Sequence, residues 1–391
     1  MSQLHETWDA VGADTLRERG SLKWCDAPGT LGAFIAEMDF GTAPAVETAL
    51  HDVISRAGYG YLPQWLIEDL RTSFVNWAQA RYSWSVEPER IQPIPDVLSA
   101  LEYAIRHLTT PGTPVIVPTP AYMPFMTIPG NEGRELIESP MIMGPDGLTP
   151  DLQHIDAAFT AGAQMLILCN PHNPTGRVLS RPELEAIEAV VARHPGARVF
   201  VDEIHAPVVL PGASHIPYAS LSPIAAAQAI TATSTSKAFG LPGMKCAQLI
   251  LSNDDDLAGW ERHGERTLKL TSTVGVVANI AAYNEGGAWL DEMIDYLASE
   301  RELLTALVAE HLPGVKMCAP QGTYIAWLDC TALNLGESPA AFFSREACVS
   351  VSDGAACGSG FEQHARLVFA TPRPVLVEMI ERMGAALAAR G

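Results

Sequence analysis

The stretch Thr231–Lys245, TATSTSKAFGLPGMK, carries an apolar run that starts at Ala229 into consecutive hydroxyl residues and a lysine, and places a second lysine eight positions later. Apolar runs of this kind recur on either side of it. TPVIVPTP, QMLILCN, ARVFVDEIH, AITATSTS and AQLILS fall between about residues 113 and 251, separated by helical patterns such as RPELEAIEAVVARH. Continuous apolar strands joined by helical crossovers predict an α/β fold whose mainly parallel sheet is covered on both faces. Ligands of such sheets sit at the carboxyl ends of the strands. The polar residues fall there: Asn170 after MLILC, Asp202 after ARVFV, and Ser234 to Lys237 after AITAT.

The flanks read differently. Residues 1–45 read as irregular, and from about 46 to 108 helical periodicity dominates, as in VETALHDVISRA and LIEDLRTSFVNWAQARY. A second helical region, about 256–312, stops at Pro313-Gly314, where proline lacks an N–H and glycine tolerates positive φ. The tail predicts strands at TYIAWLDC and ARLVFAT and helices at SPAAFFSREA and PVLVEMIERMGAALAA. The expected organisation is a large α/β domain over 46–280 and a smaller α+β domain made of 1–45 and 281–391.

Composition narrows the partners. The chain has 391 residues, 48% of them hydrophobic, and 25 Lys+Arg against 45 Asp+Glu give a formal charge of −20. Nucleic-acid backbones and anionic membranes select basic faces, so a small-molecule partner is expected. The start, MSQLHETWDA, lacks a basic segment followed by an apolar one, and no apolar run approaches the length of a membrane span, which predicts a cytoplasmic protein. Seven cysteines without a Cys-x-x-Cys pair and eleven histidines without metal-ligand spacing predict neither a disulfide framework nor a metal site.

Three residues carry chemistry in their own right. Lys237 follows a buried strand, where desolvation lowers an amine's pKa and lets it attack a carbonyl; the bland alternative is a solvated surface lysine. Asp202 ends a strand expected beside the one preceding Lys237, so its carboxylate could keep a ring nitrogen protonated or could simply cap a helix. NPHNPTG at 170–176 forms a turn stiffened by two prolines, which aims Asn173 into the same crevice or serves structure alone.

Together, NPHNPTG, VDEIH, STSK and the arginine of ARLVFATPR resemble the pyridoxal-phosphate (PLP) enzymes of the aspartate aminotransferase fold, the class I/II aminotransferase superfamily. The resemblance covers nearly the whole chain. AEMDF at 36–40, YGY at 59–61, PTPAYMPF at 118–125, DEIH at 202–205 and GTYIAWLD at 322–329 resemble, more narrowly, the cystathionine β-lyases of the MalY/PatB type. The resemblance implies that Lys237 binds the cofactor's aldehyde carbon and moves the substrate's Cα proton, that Asp202 pairs with the ring nitrogen, and that Asn173, with His205, serves the ring's phenolic oxygen. It implies a phosphate held by the amides of Val97 and Leu98 at a helix start near Asp96, by Ser234 and by Lys245. Tyr122 would stack on the ring, and Tyr61 would reach the phosphate of a neighbouring subunit, making a homodimer with shared sites. Arg366, favoured over Arg373 at an expected helix start, would bind the substrate α-carboxylate with Asn173 beside it; the alternative is an internal ion pair. The implied reaction is carbon–sulfur β-elimination on L-cystathionine or a related L-cysteine S-conjugate. Transamination of an L-amino acid uses the same lysine and stays the alternative, since no second arginine is assigned to a distal carboxylate.

Overall fold

The computed structural model describes residues 2–26 and 28–390. Seven strands form its main sheet: β1 (Ile91–Ile94), β2 (Val115–Thr119), β3 (Leu136–Pro140), β4 (Met165–Cys169), β5 (Arg198–Asp202), β6 (Ala229–Thr233) and β7 (Ala247–Leu251). Their order is β1-β7-β6-β5-β4-β2-β3. All pairings are parallel except the two made by β7, which runs against both β1 and β6. One set of carboxyl ends, those of β1, β4, β5 and β6, therefore shares an edge with the start of β7.

Apolar alternation explains why this sheet is covered on both sides. Val115, Val117, Met165, Ile167 and Phe200 belong to one buried cluster, with Leu101 and Ile105 of the helix Val97–His107. Ile116, Leu166, Leu168, Val199 and Val201 belong to the other, with Leu184 and Ile187 of the helix Arg181–Val191. Each such side chain, fully buried, contributes roughly 1.5–3 kcal/mol relative to exposure. The two faces together hold the sheet rigid beneath its carboxyl edge.

Strands β8 (Lys316–Met317), β9 (Ile325–Asp329), β10 (Ser352–Asp353) and β11 (His364–Val368) form a second, antiparallel sheet in the order β8-β9-β11-β10. The helix Gly287–His311 leads into it and packs on the final helix, Arg373–Ala389. Its end agrees with the stop expected at Pro313-Gly314, where Gly314 has φ 96°. The N-terminal segment joins this part of the molecule, since Leu31–Gly32 pairs in parallel with Val349–Ser350.

Two regions depart from the sequence expectation. The supposedly irregular N-terminus contains the short helices Gln3–Asp9, Ala13–Glu18 and Leu22–Cys25, too brief to show a sustained apolar period. The helical stretch 46–108 is interrupted by β1, a four-residue strand whose internal Pro93 disguises it. Among the described residues, no helix is long and apolar enough to cross a membrane.

Candidate active site

The carboxyl edge of the main sheet opens into a cavity of about 470 Å³. Register assembles it. Cys169 of β4 pairs with Asp202 of β5, which pairs in turn with Ala232 of β6, so the loops carrying Asn173, Asp202 and Lys237 emerge side by side. On the far side, Ala247 of β7 is opposite Ile94 of β1, which brings Lys245 and Asp96 together at the same edge. The second sheet closes the cavity with Ser352 and Arg366, and the N-terminal segment contributes Phe34, Ile35 and Ala36.

Lys237 is no surface lysine. Its Nζ donates to the Ala36 carbonyl at 2.9 Å, and the Tyr324 hydroxyl donates to the same oxygen at 3.2 Å. Burial and then the nearby Arg366 charge lower its pKa to about 8, against the opposing pull of Glu37 and Asp202. Asp202 does not cap a helix. Its Oδ1 accepts the Ile204 N–H at 3.0 Å, and the Cys169 thiol lies 3.8 Å from its Oδ2. Burial raises its pKa to about 6, more than these contacts and Lys237 pull it down. A buried carboxylate this poorly matched favours a cationic N–H donor from a ligand.

Arg366 is 2% exposed and takes part in no salt bridge among the described residues. It donates from Nε to Ser352 Oγ at 3.2 Å, from Nη1 to Asn173 Oδ1 at 3.2 Å, and from Nη2 to the Phe34 carbonyl at 2.6 Å. Every partner is neutral, so the charge itself is uncompensated. This disfavours the internal ion pair. Arg373, by contrast, starts the final helix and donates to Glu300 at 2.8 Å.

The remaining expected residues divide. Val97 and Leu98 line the cavity at the first turn of their helix, where N–H groups lack intrahelical acceptors. Tyr122 lines it as well, set edge-on to Phe125 at 5.4 Å. His205 is buried against Tyr324, its Nδ1 has no hydrogen-bond partner among the described residues, and burial holds it well below its usual pKa, hence neutral. Lys245 lines the cavity in a left-handed conformation, φ 49°, and binds Asp96 Oδ2 at 2.9 Å. Ser234 turns away: its hydroxyl donates to the Cys246 carbonyl at 2.7 Å and accepts the Ser236 N–H at 3.1 Å. Ser236, two positions on, faces the cavity instead. Tyr61 is 99% exposed and does not line the cavity of its own chain.

Sequence reasoning missed Ser236, the 34–36 segment and Ser352. Alternation along the hydroxyl run was a signal for Ser236; the other residues reach the cavity only through tertiary packing. Among the described residues, no group of three or more His, Cys, Asp or Glu side chains is placed to hold a metal ion.

Residues 35–382 match the family model for aminotransferases of class I and II. The cystathionine beta-lyase of Corynebacterium glutamicum is 39% identical over 96% of this chain and 98% of its own length. The cystathionine beta-lyase PatB of Bacillus subtilis is 31% identical over 94% of this chain and 96% of its own. A solved structure from Corynebacterium diphtheriae, provisionally described as a PLP-dependent beta-cystathionase, superposes with a TM-score of 0.92 at 37% identity, covering 97% of this chain and 98% of that one. The chain belongs to the class I and II aminotransferase family, with the aspartate aminotransferase-like fold, and within it is similar to cystathionine beta-lyases, PatB among them.

Proposed function

We propose that this protein is a PLP-dependent carbon–sulfur β-lyase that cleaves L-cystathionine or a related L-cysteine S-conjugate, with water, to a thiol, pyruvate and ammonia. The observation that carries the reading is the pairing, in one cavity, of a buried amine of lowered pKa, Lys237, with a buried guanidinium, Arg366, that has no anionic partner among the described residues. An amino acid's carboxylate supplies the missing anion, and a bidentate arrangement fixes its orientation. The names of the relatives agree with this substrate class.

The residues also fit the cofactor. Lys237 suits its aldehyde, Asp202 its ring nitrogen, and the amide of Asn173, whose oxygen is already occupied by Arg366, is free to donate to its phenolic oxygen with His205 nearby. Val97, Leu98, Lys245 and Ser236 face the place for its phosphate; Ser234 supports that loop through Cys246 and Ser236. Tyr122 offers a ring to stack on the pyridine face. When bound, PLP supplies an electron sink for the bond cleavages at the substrate's Cα and Cβ.

Around it the chain's own groups act in order. Arg366 holds the α-carboxylate and so sets the Cα–H bond toward Lys237. The Lys237 amine, neutral in part near pH 8, takes the Cα proton. The thiolate leaves Cβ, and water completes the conversion to pyruvate and ammonia.

Two further proposals concern organisation. The protein acts as a homodimer in which Tyr61 reaches the partner's phosphate subsite; exposed Tyr59 and Trp65 flank it, a surface suited to burial. The domain division at 46–280 against 1–45 with 281–391 is supported by the separate sheets and by the pairing of Leu31–Gly32 with Val349–Ser350. All seven cysteines are free thiols, in keeping with a cytoplasmic home.

The test is incubation of the cofactor-loaded protein with L-cystathionine and no keto acid, following thiol and pyruvate together. Continuing, equimolar release supports the lyase reading. Conversion of an amino donor without thiol release would replace it with transamination.

A further inference from the structure

The phosphate subsite contains a carboxylate of its own. Asp96 caps the helix Val97–His107, accepting the Ser99 N–H on Oδ1 at 2.7 Å, while its Oδ2 accepts Lys245 Nζ at 2.9 Å. Asp96 and Lys245 both line the cavity, beside Val97 and Leu98, and the same cavity holds the buried His205 with its unpartnered Nδ1. Burial pushes the Asp96 pKa up, but the Ser99 bonds and Lys245 outweigh it and the net shift is downward. The group is therefore an anion at neutral pH. The cation meant for a phosphate is already neutralised, and a third N–H of the helix's first turn is already taken.

We propose that Asp96 is an internal competitor of the cofactor's phosphate: by holding Lys245 and placing a negative charge at the anion subsite, it weakens retention of the phosphorylated cofactor. The proposal rests on the reading that this cavity binds PLP with its phosphate at Lys245. A phosphate arriving there must share Lys245 with Asp96 or displace it, and two anions within a few ångströms repel. An ordinary cap without this cost was open to the chain, since asparagine caps a helix about as well as aspartate. The carboxylate thus makes cofactor binding looser than the helix terminus and lysine alone would make it.

Asp96→Asn removes the charge and keeps the cap. The experiment titrates cofactor-free wild type, Asp96→Asn and Lys245→Met with PLP and with pyridoxal, reading tryptophan fluorescence and confirming by equilibrium dialysis. Asp96→Ser, which also retains a capping oxygen, serves if the asparagine variant does not fold. The expected result is about tenfold tighter PLP binding in Asp96→Asn, with pyridoxal affinity unchanged, and weaker PLP binding in Lys245→Met. Equal or weaker PLP binding in Asp96→Asn, alongside a Lys245→Met loss, would overturn the competitor while leaving the phosphate subsite in place. If wild type binds PLP and pyridoxal alike and Lys245→Met changes neither, the placement of the phosphate fails, and this proposal fails with it.

Discussion

Arg366 and Asn173 meet across the two sheets: the guanidinium on β11 donates to the amide oxygen of the loop after β4 at 3.2 Å. The contact joins the two sides of the cavity, and it leaves the arginine's charge unbalanced. Replacing Arg366 with methionine should raise KM for an amino-acid substrate by about two orders of magnitude, the scale of one lost charge-assisted pair. The cofactor-free variant should lose little stability, because removing an unpaired buried charge offsets the loss of the three hydrogen bonds it made to neutral acceptors. Steady-state kinetics and a thermal melt check the two halves. An unchanged KM excludes Arg366 as the carboxylate anchor.

The lowered pKa of Lys237 makes a prediction about pH. Only the neutral amine attacks an aldehyde, so capture of the cofactor by cofactor-free protein should speed up as pH rises and level off above about 8. An ordinary lysine would continue to gain up to about 10.4. Stopped-flow absorbance across pH 6 to 10 reads the profile. Lys237→Ala should lose both the absorbance of lysine-bound cofactor and turnover; normal turnover in that variant rules out its assigned role.

Asp202 makes a stability prediction of the opposite sense. Its folded pKa, about 6, lies above the roughly 3.9 of an unfolded aspartate, so the folded cofactor-free protein disfavours the ionised form. The resulting penalty is absent below pH 4, grows between 4 and 6, and reaches on the order of 2–3 kcal/mol above 6. Asp202→Asn should therefore stabilise cofactor-free protein at pH 7 and do nothing at pH 4, while weakening the hold on the ring nitrogen when cofactor is present. Denaturant melts at both pH values measure this. Destabilisation at pH 7 would mean the carboxylate has a structural partner that its geometry does not reveal.

The sequence disclosed the site unevenly, for physical reasons. Lys237, Asp202 and Asn173 were legible because each follows a buried apolar strand, and parallel strands deliver their carboxyl ends to one edge. Ser234 and Ser236 both follow β6, and only backbone geometry decides which hydroxyl turns to Cys246 and which to the cavity. The Phe34 and Ala36 carbonyls that receive Arg366 and Lys237 carry no side-chain signature at all. β1 escaped notice because Pro93 contradicts strand propensity, although β1 is what sets Asp96 opposite Lys245.

Tyr61 provides the test of shared sites. It projects fully into solvent, away from the cavity of its own chain, from a loop anchored where the Gly60 carbonyl accepts the Thr273 hydroxyl at 2.9 Å. If it completes a partner's phosphate subsite, Tyr61→Ala and Lys237→Ala proteins, each inactive alone, should regain activity when their subunits exchange. A hybrid dimer joins the intact Lys237 of one chain to the intact Tyr61 of the other at one of its two sites. Equal mixing should then restore roughly a quarter of wild-type turnover, given random pairing into two-fold dimers. Light scattering establishes the dimer, and exchange is confirmed by tagging one chain and recovering the other with it. Confirmed exchange without recovery would show that each chain's site is complete in itself, and the exposed tyrosine would then need another explanation.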